Sequence, residues 1–583
     1  VKSESRVNST NLSQLESETD DTRRRLRWTV YLLVIVVFAG TSAASLYNVR
    51  PLLSANDRSR WCTVWSLVER GTYQIDEIIT RPGWDTIDKV RHEGHYYSSK
   101  PALLPALVAG LYWSVKQVTG WNLLDNTAQT TRLILVFVNL LPMVLFLVVT
   151  ARLVERTART DFARIFVVTT AAFGTLLSPF LMTLNNHTVA AMSVLLAIYP
   201  AYRILADGVK CPLCFGLAGF FAAFACTNEL PAALFSVAIF GLLVFRAPRP
   251  TLLFFVPAAL IPLAAFFVTT YIATGGWKPF YLYYGTDKYN YVIDGIPSYW
   301  MQPKGIDNNH ESPLRYLLHC TIGHHGILSL SPVFLISLLG WVRFRRAKQF
   351  PAKPFLWMGL GLTVAILSFY LTRTANYNYG GLSAGLRWTF WLIPFWMIAM
   401  IPALDAWADR RGLQFLAAGL LGVSVFSAVA PLSNPWQQPW LYTWMEKRGW
   451  INYRDPYPVF EQPPTTWFPA LPHSVDPQHP DWIELSGLAG DGTSLRIRLV
   501  DGGIQTVGEK SWHRIQIIRT SGSGEILTET FAIDEEAFGA GRQPEEFLRP
   551  LENSSDGPES KKRESSLALL RGLPGPVKFA RRH

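Results

Sequence analysis

Apolar positions in this chain fall in long unbroken runs, not at every second or every third and fourth residue. The runs cover 28–47, 133–151, 165–183, 188–202, 213–227, 231–245, 251–273, 326–342, 354–372, 388–404 and 412–430. A helix needs roughly 18 or more apolar residues to cross the hydrocarbon of a bilayer, so the pattern predicts about eleven spanning helices, two of them short. One further apolar piece, Pro101–Val115, is too short for a span and carries Pro101 and Pro105. If it crossed, the basic stretch 152–164 would be stranded on the outer side. It is therefore expected to lie along the interface as a helix over 101–116.

The period changes after the last run. From Pro431 the chain turns to Pro, Trp and polar residues, and alternation of strand type appears at 482–486, 494–500, 512–519 and 525–531. The expected architecture is an all-α polytopic membrane protein with a small β-rich extracytoplasmic C-terminal domain. Residues 1–27 read as a disordered cytoplasmic tail, 28–432 as the membrane domain with a large first outer loop at 48–100, 433–551 as linker and β-rich domain, and 552–583 as a polar linker and basic tail.

Composition agrees with the membrane reading and excludes others. Of the 583 residues 49% are hydrophobic and 17% charged, against about 25% charged in soluble domains. The net charge of +11 raises the question of nucleic acid, but its distribution answers it. Basic clusters at 23–25, 152–164, 246–249, 343–348 and 410–411 each end an apolar run, as the positive-inside rule requires of cytoplasmic turns. An integral multi-pass cell (inner) membrane protein results, with its N-terminus cytoplasmic and its C-terminus extracytoplasmic. The first run is too long for a cleavable signal.

The outer loops carry the chemistry. The first opens on Asn56-Asp57-Arg58-Ser59-Arg60-Trp61 and closes on His95-Tyr96-Tyr97-Ser98-Ser99-Lys100-Pro101. A carboxylate just above the bilayer, beside aromatics and a lysine, suits removal of a proton from an alcohol, and a nearby cation suits a phosphate leaving group. The plain alternative is that Asp57 serves a helix end or pairs with Arg60. Four histidines, His310, His319, His324 and His325, lie near Asp307 and Glu311 without regular spacing, so packing or substrate contacts are favoured over metal ligation. Cys62 and Cys320 both fall outside, where a disulfide between them is chemically permitted. Glu229, at the meeting point of the two short spans, is either a functional intramembrane charge or a solvated tip.

A first span, an acidic residue just outside it, and a long outer loop ending in Tyr-Tyr-(x)-Lys-Pro before an interfacial helix resemble the GT-C superfamily of glycosyltransferases. The nearest branches are the protein O-mannosyltransferase and lipid A aminoarabinose transferase types, and the resemblance spans roughly residues 28–430. It implies a polyprenyl-phosphate sugar donor and transfer on the outer face with inversion. Asp57 takes the position of the catalytic base and Lys100 that of the lysine facing the donor phosphate. Arg387, in Gly380-Gly381-Leu382-Ser383-Ala384-Gly385-Leu386-Arg387-Trp388, resembles the arginine of a Gly-Pro-Arg-Tyr motif, with Leu386 in place of the proline. Tyr96, Tyr97, Asn186, His187 and Arg60 are the further substrate-binding candidates.

One departure concerns metal. Many relatives carry a second acidic residue outside the third span, where this chain has Asn185-Asn186-His187. No cofactor is expected, and a divalent metal stays open as the alternative. The expected partners are the polyprenyl-phosphate donor, a lipid, glycan or protein acceptor, and membrane lipids, with no nucleic acid. Two rivals compete: a transporter or flippase for a lipid-linked sugar, and a non-catalytic scaffold for envelope assembly.

Overall fold

The computed structural model describes residues 2–293, 296–308, 311–343, 350–374 and 378–453, with backbone alone before residue 21, and beyond these the strand backbones between His473 and Pro550. It divides into two units, residues 1–284 with 305–453, and residues 285–304 with 454–583. The first unit continues through Tyr453, 21 residues past the expected boundary at 432, because the Pro/Trp segment packs there through the buried Trp436 and Tyr442.

Among the described residues, eight helices are long and apolar enough to cross a membrane. In chain order the first unit runs α1 (Lys2–Asn48), α2 (Ala55–Glu69), the hairpin β1 (Lys89–His92) and β2 (His95–Ser98), and α3 (Leu103–Thr119). Then follow α4 (Thr127–Thr157), α5 (Asp161–Phe180), α6 (Asn186–Ala206), and the short apolar pair α7 (Pro212–Asn228) and α8 (Leu230–Arg246). The remainder are α9 (Pro248–Thr274), the short α10 (Pro332–Arg343), α11 (Lys353–Leu371), α12 (Arg387–Trp407) and α13 (Arg411–Val429). The long helices and the three short apolar ones coincide with the apolar runs. The piece expected to lie along the interface is α3, a 17-residue helix packed on α2.

The first helix begins at Lys2, and no glycine or proline interrupts the sequence before Gly40. Without a breaker, the backbone ladder that starts in the apolar run continues back through the polar residues. It ends at Asn48, shortly before Pro51, where a proline disfavours helix in the residue before it.

One end of the bundle is tied by charges. Arg27 makes a two-pronged contact with Glu155 at 2.8 and 2.9 Å, and the Tyr31 hydroxyl donates to the same carboxylate at 2.7 Å. Asp405 accepts the backbone N–H groups of Arg159 and Thr160. These contacts join α1, α4, α5 and α12 at the end that carries the basic clusters. Where α7 crosses α9, Gly219 lies so close to the Phe255 carbonyl that a Cβ would collide with its oxygen.

At the opposite end two asparagines pin the bend between α5 and α6. Asn139, inside a five-residue π turn of α4 (Val136–Leu140), donates to the carbonyls of Leu181 and Thr183 at 2.9 Å each. Asn185 caps α6, accepting the Thr188 N–H at 3.0 Å, and donates to Phe180 O at 2.7 Å. An asparagine at this cap satisfies an amide that the helix itself leaves free.

In the second unit, seven strand segments between His473 and Pro550 pair antiparallel in the order 548–550, 526–534, 510–520, 494–499, 482–486, 473–475, with 505–507 on 510–520. A two-residue ribbon pairs Val292–Ile293 with Ile296–Pro297. Residues 552–583 lie outside the described residues.

Candidate functional site

The site grows from the start of α2. Ser54 is its N-cap and accepts the Asp57 N–H at 3.1 Å. The spacing Ser-x-x-Asp is that of a capping box, in which the acid would reach back to the cap. Asp57 does otherwise. Its Oδ1 accepts the Leu184 N–H at 2.9 Å, across 127 residues, from the bend that Asn139 and Asn185 hold open. The carboxylate is 3% exposed, and burial pushes it up to about 6, against the opposing pull of the Leu184 N–H, Thr183, Arg60 and Trp61.

Arg60, one turn along α2, is as deeply buried. Its Nη1 donates to Asn56 O at 2.8 Å and to Asn56 Oδ1, and its Nη2 donates to Asn186 Oδ1. Burial lowers it to about 10, with Asp88, Asp57 and Glu229 restoring the charge and Arg387 opposing it. Asn186 in turn donates to Asn228 O at 2.7 Å and to Glu229 Oε1 at 2.8 Å. His187 Nδ1 meets the same Glu229 oxygen, and Arg387 Nε donates to His187 Nε2 at 3.0 Å.

Arg387 opens α12 after the Gly-Gly turn. Its Nη1 donates to Gly380 O, and its guanidinium lies 5.0 Å from the ring centre of Trp436. Tyr379, Gly380 and Gly381 all take positive φ, at 63, 93 and 65°, a region that a glycine enters without penalty. A Cβ on Gly380 would meet Arg387 Nη1 at 2.5 Å, so the glycine makes room for the guanidinium. Trp436 Nε1 donates to Thr183 Oγ1 at 2.9 Å, and Thr183 favours the charged form of Asp57. Asp57, Arg60, Asn186, His187 and Arg387 thus belong to one buried network.

Lys100 joins it from the hairpin. Its Nζ pairs with Asp88 Oδ2 at 2.9 Å, and burial lowers its pKa while Asp88 opposes the shift. Asp88 O accepts Ser59 Oγ at 2.6 Å, and Ser59 shares a 2.6 Å hydrogen bond with Ser98, so the hairpin is fastened to α2 beside Asp57. Lys100 also lines a narrow cleft whose other wall is the end of α9 and the chain after it. Tyr97, Ser98, Thr270 and Phe280 line the same cleft, and the buried Thr270 hydroxyl has no hydrogen-bond partner among the described residues. Asp57 and Arg387 do not line it. Tyr96 and Tyr97 point to opposite faces of β2. Tyr97 packs at a tilt against Phe280 in the cleft, ring centres 5.2 Å apart, whereas Tyr96 receives the cations of Lys89 and Arg91.

The histidines gather as packing around the Gly-Gly turn. His319 and His324 stack at 4.1 Å, His324 Nε2 meets the Tyr453 hydroxyl at 2.5 Å, and His325 Nε2 donates to Ser383 O at 3.0 Å. Burial holds His324 and His325 well below the usual imidazole range. Among the described residues no three His, Cys, Asp or Glu side chains converge as metal ligands; His310 lies outside them. The permitted Cys62–Cys320 bridge is absent: both thiols are free and buried, and Cys62 Sγ donates to Trp84 O at 3.3 Å.

No local motif marks Asp88, Thr183 or Trp436. Asp88 stands twelve residues before its lysine with no motif around it, and Trp436 lies in a Pro/Trp stretch that reads as linker. Only the capping-box spacing at Ser54–Asp57 carried a local signal, and it pointed to the wrong partner. In comparisons with known proteins, no family model matches the sequence and no curated protein matches it significantly.

Proposed function

We propose that this chain is a membrane glycosyltransferase of GT-C type that moves a sugar from a polyprenyl-phosphate donor to a lipid, glycan or protein acceptor. The site faces the outer side of a cell membrane, with residues 1–27 cytoplasmic and a β-rich extracytoplasmic domain within 433–551. In this reading Asp57 takes the proton of the acceptor hydroxyl as that oxygen attacks the anomeric carbon and inverts it. The phosphate departs with the bonding electrons, its charge offset by Lys100 and Arg387.

One observation carries the reading. Asp57 is diverted from its helix cap into a buried network that also holds Arg60 and Arg387, with Lys100 against a cleft. A carboxylate near 6 is largely ionised at neutral pH and basic enough to accept a proton, the compromise a general base needs. The test is transfer of radiolabelled sugar from polyprenyl-phosphate donors to membrane extracts by the full chain reconstituted in vesicles. Label moved by the wild type and not by Asp57→Asn supports the reading; no transfer from any donor of this class refutes it.

A further inference from the structure

Glu229 stands at the centre of the network with two arms. On one side it accepts Asn186 Nδ2 at 2.8 Å, and Asn186 Oδ1 takes Arg60 Nη2. On the other it meets His187 Nδ1, and His187 Nε2 accepts Arg387 Nε at 3.0 Å. Two neighbouring residues at the start of α6 therefore connect one carboxylate at the end of α7 to two guanidinium groups, one on α2 and one on α12.

The protons on the His187 arm are determined by valence. An arginine nitrogen only donates, so His187 Nε2 must present its lone pair to Arg387. The ring proton then sits on Nδ1, which faces Glu229, and the imidazole is neutral. Nδ1 lies against Glu229 Oε1 as a close electrostatic contact and makes no hydrogen bond among the described residues.

The two guanidiniums repel each other; burial pushes the Glu229 carboxyl up, and Arg387 and Arg60 act against that shift by favouring its charged form. Buried like charges stay together only when a counter-charge and directed hydrogen bonds hold them. Arg387 spends Nε and Nη1 on His187 and Gly380, which leaves Nη2 without a hydrogen bond among the described residues.

We propose that Glu229 is a positioning residue that, through His187 and Asn186, holds Arg387 and Arg60 together as a paired clamp for the phosphate of the donor. The proposal deepens the glycosyltransferase reading and rests on it for the identity of the anion. Its geometry does not. Glu229 and His187 touch no substrate; they set the aim of the guanidiniums that do.

The test uses the full chain in detergent with a short-chain prenyl phosphate lacking sugar as the probe, alongside 15N spectra of histidine-labelled protein. Glu229→Ala should weaken prenyl-phosphate binding by about tenfold or more, comparable to losing a charge-assisted contact. Glu229→Gln, which keeps an acceptor oxygen but not the charge, should fall between the two. A glutamine side chain in place of the imidazole can still accept from Arg387 and donate to Glu229, so His187→Gln should recover most of what His187→Ala loses. In transfer assays the loss should appear in KM for the donor more than in kcat. Glu229→Ala that folds and binds at wild-type strength overturns the proposal, as does His187→Gln no better than His187→Ala.

The spectra keep the two readings apart. His187, identified by difference against His187→Gln, should show the neutral Nδ1–H form in the wild type at pH 7. An imidazolium or an Nε2–H form overturns the clamp whatever the ligand. Wild type with the expected tautomer but no affinity for prenyl phosphate refutes the phosphate clamp and the donor reading, and leaves the two arms as a structural tie alone.

Discussion

Replacing Asp57 by asparagine separates its chemistry from its packing. The amide oxygen of the substituted side chain can still accept the Leu184 N–H, so the α5–α6 bend keeps its partner. The change removes one proton acceptor and one buried negative charge. Burial moves the carboxyl from 3.8 to about 6, which at 1.36 kcal/mol per unit amounts to about 3 kcal/mol against the charged form. The folded pKa lies above the unfolded one, so the folded state binds more protons between these values. Stability from this group therefore falls as pH rises from about 4 to 6 and stays low above. The asparagine variant should lack that slope, which unfolding midpoints at pH 4.5 and 7 can compare. Transfer should follow the opposite course. It should rise with pH through about 6 as the base ionises, and fall by roughly 10² to 10⁴ in the variant. Sugar transfer measured from pH 5 to 8 in both proteins decides the matter. A variant within tenfold of wild type, or a wild type with no acid limb near 6, refutes Asp57 as the base.

Other expectations follow from contacts away from Asp57. The Lys100–Asp88 pair is largely but not fully buried, so Lys100→Met or Asp88→Leu alone should cost about 1–3 kcal/mol by leaving one charge unpaired. The double variant should recover much of that loss in thermal unfolding; equal loss in all three would remove the pair from the account. Gly219→Ala should destabilise by about 1–3 kcal/mol, because its Cβ would collide with the Phe255 carbonyl and the α7–α9 crossing must open. An unchanged unfolding midpoint would argue against that crossing. Maleimide should leave Cys62 and Cys320 unlabelled in folded protein and label both after denaturation without reductant. Labelling that needs reductant would show a disulfide after all.

The membrane helices were legible because a bilayer imposes a length, and a run such as 354–372 or 412–430 has no other economical use. The bend at Leu181–Asn185 was not legible, since its shape depends on Asn139 from another helix. The same holds within the site. Asp57, Lys100 and Arg387 stand out by residue type at the ends of apolar runs. Their partners Asp88, Thr183 and Trp436 are brought in by tertiary packing, which leaves no trace at short sequence range. Glu229 was the ambiguous case: in Thr-Asn-Glu between two short apolar runs it could be a solvated tip, and its partners on α6 are 42 and 43 residues away. The helix start at Lys2 shows the converse, a polar stretch that composition assigns to a tail but that contains no breaker.

The π turn at Val136–Leu140 gives α4 two phases. A π turn places one more residue in the turn than an α turn does, so the residues before it and after it are offset by about 100° of rotation. Thr131 and Ile134 lie before that offset, and Met143, Phe146 and Val149 after it. Asn139 falls inside it, and that is how a polar amide comes to point inward from an otherwise apolar span. Deleting one residue from 136–138 would restore a regular helix and turn the amide away from Leu181 and Thr183. The length of this helix is therefore a functional variable in its own right. An indel of one residue there would disturb the carboxylate of Asp57 more than many substitutions closer to it.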